Sequence, residues 1–331
     1  MRRPVAARLI TTAVVAAFGI AGCGSDGAND DPLQVTDTLV AAEPASSPPA
    51  SPDPAGQTLP APPVQHTAYD AATHTLGVTS GSTLLLFDTR AGGPPREVPL
   101  PSAPAQLREH TPGQLMLAMP DANQIATVDI ASAALHPTPV EGGPIDAAPV
   151  GGDLAVALRD TKSVTFLGSH RSVGGFDEPS QLLPAGPDVL VLDRLSTSVT
   201  PINIATGEKG AGLRAGQGAG EAVTDRYGRL LVTGTRTGAF MAFSSNPLIM
   251  KQRYPVPNSP YGIAYDPNRD LAWVTVTGTN EVVGYDVAGG EPQERHRFST
   301  VGQPNSVAVD PGSGEVFVSS ATGDGVQVVK P

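Results

Sequence analysis

The strongest constraint on this chain is a period of about forty residues. Three segments align on an Asp that ends a short strand: Gln65-His66-Thr67-Ala68-Tyr69-Asp70, Tyr261-Gly262-Ile263-Ala264-Tyr265-Asp266 and Asn305-Ser306-Val307-Ala308-Val309-Asp310. A fourth, Gly220-Glu221-Ala222-Val223-Thr224-Asp225, follows with one substitution of character. Each leads through a turn into a β-rich run: Leu76-Gly77-Val78-Thr79, Leu230-Leu231-Val232-Thr233, Ala272-Trp273-Val274-Thr275 and Val316-Phe317-Val318-Ser319. A further strand then closes at Asp88, Asp129, Gly168, Asn203, Ser244, Asp286 and Lys330, positions 41, 39, 35, 41, 42 and 44 residues apart. Seven units of three or four short strands predict an all-β, seven-bladed β-propeller over residues 56–331. A single small sheet has two apolar faces, and only stacked neighbours cover both. An immunoglobulin-like sandwich would not repeat so regularly.

Composition agrees. Thirty-seven Gly and 34 Pro make up about a fifth of the 331 residues, against roughly 12% in an average chain. Both break helix interiors, which excludes a helical bundle. With 21 basic against 32 acidic residues and a net charge of −11, the chain lacks the basic face that a nucleic-acid partner requires. The last repeat stops after its third strand, Val326-Gln327-Val328-Val329. Gly56-Gln57-Thr58-Leu59-Pro60 stands where a fourth strand stands elsewhere, as in Arg96-Glu97-Val98-Pro99-Leu100. Residues 56–60 are therefore predicted to pair with the last blade and close the ring, removing its open edges.

The N-terminus has a different character. Arg2, Arg3 and Arg8 precede an apolar stretch from Leu9 to Gly22. That is too short for the ~18–20 residues of a permanent span and fits a secretory signal over residues 1–22. The stretch ends in Ile20-Ala21-Gly22-Cys23, and Cys23 is the only Cys of the chain. These residues resemble the lipobox of bacterial lipoproteins. The resemblance implies cleavage between Gly22 and Cys23 and a diacylglyceryl and palmitoyl-type anchor on the Cys23 thiol. The Arg2-Arg3 pair lacks the rest of a twin-arginine pattern, so the general secretory route is favoured over the twin-arginine one. Removing residues 1–22 takes three arginines and no acid, so the mature chain carries −14; lipid rather than charge must hold it to a membrane. From Gly24 to Pro63 there are nine prolines, six acids and no Lys or Arg. Residues 23–55 are accordingly predicted to be a disordered, Pro/Ala/Asp-rich tether. Ser46, Ser47, Ser51 and Thr58 are sites where O-linked sugar is weighed against a plain spacer, and the spacer is favoured. Over Leu33–Ala42, helix and strand stay open.

Catalytic motifs are scarce. Gly210-Ala211-Gly212-Leu213-Arg214-Ala215-Gly216 has the wrong spacing for a dinucleotide loop and leads into a strand, not a helix. Asp266-Pro267-Asn268-Arg269-Asp270 and Asp310-Pro311-Gly312-Ser313-Gly314 read as β-turns rather than calcium loops, with Asp88, Asp129 and Asp286 as strand-end caps. Arg295-His296-Arg297 reads as a solvated face. One Cys and six scattered His give no ligand set, so neither metal nor cofactor is expected. What remains is the mouth of the central channel, where the starts of the innermost strands converge. The repeat alignment places His66, Gln181, Glu221, Tyr261 and Asn305 there, with His66 and Glu221 an acid–base pair only if the ring brings them together.

Trp273-Val274-Thr275-Val276 followed by Asn280-Glu281-Val282-Val283-Gly284-Tyr285-Asp286, and Val316-Phe317-Val318-Ser319-Ser320 followed by Gly325-Val326-Gln327-Val328-Val329, resemble the YVTN repeat of seven-bladed propellers. With the Cys23 motif and an Ala/Pro/Gly-rich, Lys-poor composition, the chain resembles an actinobacterial or mycobacterial type of lipoprotein. That resemblance implies a propeller on the outer face of the cytoplasmic membrane; the oligomeric state stays open, with a monomer favoured. It implies no activity, since such propellers host scaffolds, binders and lactonase-like enzymes. The leading expectation is a binding or scaffold module for an envelope protein, peptide or glycan. The alternative is a lactonase-like hydrolase acting at the channel mouth. Cys23→Ala is expected to move the protein from the membrane to the soluble fraction on cell fractionation; unchanged membrane association would refute the lipid anchor.

Overall fold

Seven four-stranded antiparallel sheets follow one another along the chain and stack as the blades of a propeller. The computed structural model describes residues 39–50 and 54–331. Blades 1 to 6 occupy residues 67–99, 106–139, 144–173, 179–214, 219–255 and 260–299, and blade 7 takes residues 304–329 plus the strand Gln57–Leu59. First strands of neighbouring blades meet around the central channel. Third strands end at Asp88, Asp129, Asn203 and Asp286; Ser244 lies one residue inside its strand end, and Gly168 and Lys330 fall just beyond theirs.

Ring closure occurs as the sequence predicts. Gln57, Thr58 and Leu59 pair antiparallel with Val328, Gln327 and Val326. Gly56, at φ +80°, is where the chain turns into that strand. A Cβ there would be driven into the carbonyl of Val328, so both conformation and space require glycine.

Each blade–blade interface carries its own apolar cluster. In the strand Thr83–Asp88, Leu84 and Leu86 point toward Leu115 and Leu117 of blade 2, whereas Leu85 and Phe87 point toward Phe317 and Val328 of blade 7. This alternation is the period-2 geometry of a strand with both faces covered. At roughly 1.5–3 kcal/mol for each large side chain fully buried, the interfaces rather than the single blades hold the fold together. Between blades 6 and 7, Trp273 is wholly buried opposite Gly284 on the adjacent strand. A Cβ at Gly284 would lie 2.8–3.1 Å from three carbons of the indole ring. His296 stacks near the same ring at 5.6 Å between centroids, so the middle of the Arg295-His296-Arg297 run is packed rather than solvated. Its arginines pair with Asp286, Glu281 and Glu294.

The aspartates serve the turns. Asp70 accepts from Thr73 N and, in blade 2, from Gly113 N; Asp266 accepts from Asn268 N and Arg269 N, and Asp310 from Gly312 N. Asp88, Asp129 and Asp286 accept backbone N–H groups two or three residues on. Their carboxyls are held below the usual range, Asp88 by those N–H groups, Asp129 first by the Ser132 hydroxyl and Asp286 first by Arg295. Residues 210–212 form the loop into Leu213–Arg214, the outer strand of blade 4.

One expectation requires correction. Residues 39–50, placed by composition in a disordered tether, lie extended along the propeller face, with Ala42 wholly buried. Composition measures how little apolar area such a segment can bury; it does not register that the face offers side-chain donors for its carbonyls. Leu39–Ala42 form neither helix nor strand. The Ser47 hydroxyl is engaged by Thr277 O and Gln303 N, and Thr58 lies in the closing strand, so both have structural roles. The signal region, Cys23 and the rest of the tether before residue 39 lie outside the described residues.

Gly284→Val is expected to cost about 1–3 kcal/mol by overpacking the Trp273 site, with a shift in the fluorescence of this sole Trp. An unchanged urea midpoint and emission spectrum would contradict the packing described.

Candidate functional site at the channel mouth

The innermost strands of blades 3 to 7 share a local irregularity. Each slips register near its start, between Pro144 and Asp146, Pro179 and Gln181, Ala219 and Ala222, Pro260 and Ile263, and Pro304 and Ser306. A β-bulge inserts an unpaired residue and re-aims side chains. Four of the five bulges follow a Pro, whose missing N–H suits a strand start. Glu221, Tyr261 and Asn305 are themselves bulge residues, and Gln181 follows one.

Bulges also free backbone N–H groups, and the recurring Thr of the second strand satisfies them. Glu221 N donates to Thr233 Oγ1 at 3.0 Å and Gly262 N to Thr275 Oγ1 at 2.9 Å; His66 N donates to Thr79 Oγ1 at 3.1 Å. All three threonines are fully buried. Thus in blades 5 and 6 the Thr that ends the β-rich run is the hydroxyl that makes a bulge tolerable beside the channel, and Thr79 takes the His66 N–H in blade 1, which has no bulge.

The result is a cavity of about 630 Å³, with His66, Gln181, Glu221, Tyr261 and Asn305 all in its wall. The five sequence-derived positions therefore converge, but not as an acid–base pair: no hydrogen bond joins His66 to Glu221. Glu221 instead accepts from Gln181 Nε2 at 2.6 Å, while Gln181 Oε1 accepts from Ala222 N, which makes Gln181 a clamp between blades 4 and 5. Asn305 Oδ1 accepts from Gln303 Nε2.

Four further charged residues shape the site. Asp146 binds the Arg108 guanidinium and accepts from Leu182 N at 2.7 Å and Ala147 N at 2.8 Å, so it ties blades 2, 3 and 4 together. Arg194, just beyond the second strand of blade 4, donates to Tyr261 Oη at 3.1 Å and lies 5.6 Å from the centre of that ring. Glu178 also lines the cavity. Arg108 is the only basic residue on any innermost strand, a signal available in the sequence once a strand is recognised as covered on both faces. Arg194 has no counterpart in the repeat pattern and could not be placed from it.

Desolvation governs the protonation states. It lowers His66 to about 4, against the opposing pull of the Pro104 carbonyl, with Arg194 adding to the lowering. It raises Glu221, against the pull of Arg194 and the Gln181 hydrogen bond. Tyr261 is pushed up to about 12, by burial first and by Glu221 second. At neutral pH the wall offers a neutral imidazole and a phenol, beside a carboxyl whose ionisation is resisted.

No family model and no curated protein matches the sequence. Solved structures do share the fold. A chain of hydrazine synthase from Kuenenia stuttgartiensis superposes with a TM-score of 0.67 at 16% identity, over 83% of this chain and 97% of that one. A streptogramin B lyase gives 0.66 at 13%, over 83% and 96%. A chain of the mitotic checkpoint complex gives 0.70 at 9%, over 89% and 99%. At these identities the likeness is one of propeller architecture.

A carboxyl whose affinity for protons is raised by folding stabilises the protein at low pH, and that contribution is lost as pH rises through the folded-state value. Glu221→Gln keeps an acceptor for Gln181 and removes the titration. The variant is expected to melt higher than the parent at about pH 7.5 and level with it at about pH 3.5. Equal melting at the higher pH would mean that Glu221 is freely solvated.

Proposed function

We propose that the mature chain is a lipid-anchored, extracytoplasmic binding module whose channel mouth holds a neutral, hydrogen-bonding segment of an envelope peptide, protein or glycan. The observation that carries this reading is the character of the wall. Its His66, Glu221 and Tyr261 are held toward their neutral forms, and its amides and hydroxyls are fixed in place by contacts between blades. Such a surface is preorganised for binding and loses little entropy when a ligand arrives. The anchor rests on Arg2, Arg3, Arg8, the apolar stretch and the Ile20-Ala21-Gly22-Cys23 motif. The resemblance to YVTN-repeat lipoproteins of actinobacteria supports the same placement on the outer face of the cytoplasmic membrane.

A second reading has its own support. Burial holds the His66 ring neutral, so one of its nitrogens can accept a proton. Glu221, on the same cavity wall, is biased toward the protonated acid. A base and an acid that do not quench each other suit opening of a lactone or cyclic ester, and one propeller of the same fold is named as a lyase.

Screening the mature protein on a glycan array and a displayed peptide library is expected to return a ligand whose affinity falls at least tenfold in Tyr261→Ala and Asn305→Ala. Met250→Ala on the outer rim should leave it unchanged. Retention of affinity in both channel variants would reject the cavity as the binding site. Turnover of lactones, abolished in His66→Ala, would favour the catalytic reading instead.

A further inference from the structure

Residues 40–50 do more than cover the propeller face; they occupy it as a ligand would. Val40 O and Ala41 O each accept from Arg236 Nη2 at 2.8 Å, and Ala42 O accepts from Arg194 Nη2 at 2.6 Å. Ala45 O accepts from Gln303 Nε2 and Ala45 N donates to Ser259 Oγ, both at 3.0 Å. Ser47 N donates to Gln303 Oε1 at 3.0 Å, and Pro48 O accepts from Asn280 Nδ2 at 2.7 Å. The groove is built from loops of blades 4 to 7, and its donors are side chains of Arg, Gln and Asn that read main chain almost exclusively.

The chemistry of the occupant matches that of the groove. A proline-rich segment has a full set of carbonyls and few N–H groups, and in extended form it bonds none of them internally. Here five strap carbonyls meet side-chain donors, while Pro44, Pro48 and Pro49 have no N–H to satisfy. Only Ala42 is buried, so side-chain selection is concentrated at one small residue; Glu43 is exposed at the cavity end. We propose that this face is a binding groove for extended, proline-rich peptides, occupied in cis by residues 40–50 and available to such a peptide in trans when the strap lifts. Arg194 belongs to both the groove and the cavity wall, so the strap's release also frees one donor at the channel mouth. Apart from Arg194, the residues that seat the strap (Arg236, Ser259, Asn280 and Gln303) lie outside the cavity wall.

Because a tethered strap competes at an effective concentration in the millimolar range, the intact protein should resist a peptide in trans. The test alters the strap and leaves the groove alone. A fluorescent peptide of residues 38–50 is titrated into the mature protein and into its Ala42→Trp/Ser47→Pro variant. The variant is expected to bind at least tenfold more tightly than the parent. Adding Gln303→Ala should remove that binding, and replacing the three prolines of the peptide by Gly should weaken it. Equal binding to parent and variant, or none to a variant whose melting matches the parent, would overturn the proposal. Should the double variant fail to fold, hydrogen exchange decides: protection of the Ala45 and Ser47 amides in the parent, lost in Gln303→Ala, supports the docked strap. Exchange at free-peptide rates in the parent would defeat it.

Discussion

A four-stranded blade has apolar side chains on both faces, and the described residues include only strands and one three-residue 3-10 helix, Pro120–Ala122, with which to cover them. Every blade therefore depends on two neighbours, and the array is stable only as a closed ring. The closing contact is also the least local one: Gln57–Leu59 reaches blade 7 after the whole propeller has been laid down between them. Gly56 and Gly325, both at positive φ and both unable to carry a Cβ against the facing carbonyls, mark how closely that strand is fitted. The seven interface clusters, the channel and the cavity at its mouth all presuppose this latch.

Closure places seven strand starts around one axis, and the bulges decide what those starts present. Without them, the alternation of a strand would bury or expose residues in a fixed order. With an extra residue before the pairing resumes, Glu221, Tyr261 and Asn305 leave the ladder and face the channel. Buried Thr233 and Thr275 take the Glu221 and Gly262 N–H groups and Gln303 O takes that of Asn305, so the site costs the sheet little hydrogen bonding. Position in the repeat and chemistry of the site are thus the same fact seen at two scales.

That relation explains what the sequence discloses. The forty-residue period is read from third-strand ends and inner-strand aspartates, and both are set by turn chemistry that repeats. The channel residues are legible because four of them sit four or five residues before those aspartates, and Gln181 stands at the comparable place in a weaker repeat. Arg194 is not, because it lies in a loop where the repeats differ. Gln181 is placed correctly, but its clamp on Ala222 depends on an adjacent blade that no offset describes. The strap escapes for another reason. Disorder is inferred from residues 40–50 alone, whereas their order comes from Arg236, Gln303 and Asn280, some 200 residues or more further along the chain.

The strap joins the two candidate surfaces. Arg194 Nη2 donates to Ala42 O at 2.6 Å and to Tyr261 Oη at 3.1 Å, so one guanidinium group serves both the groove and the cavity wall. With Ala42 docked, that group is divided between a main-chain carbonyl and a phenol. Lifting residues 40–50 would leave its donors to the channel mouth, so the backbone hydrogen bonds that seat the strap also set what the cavity presents.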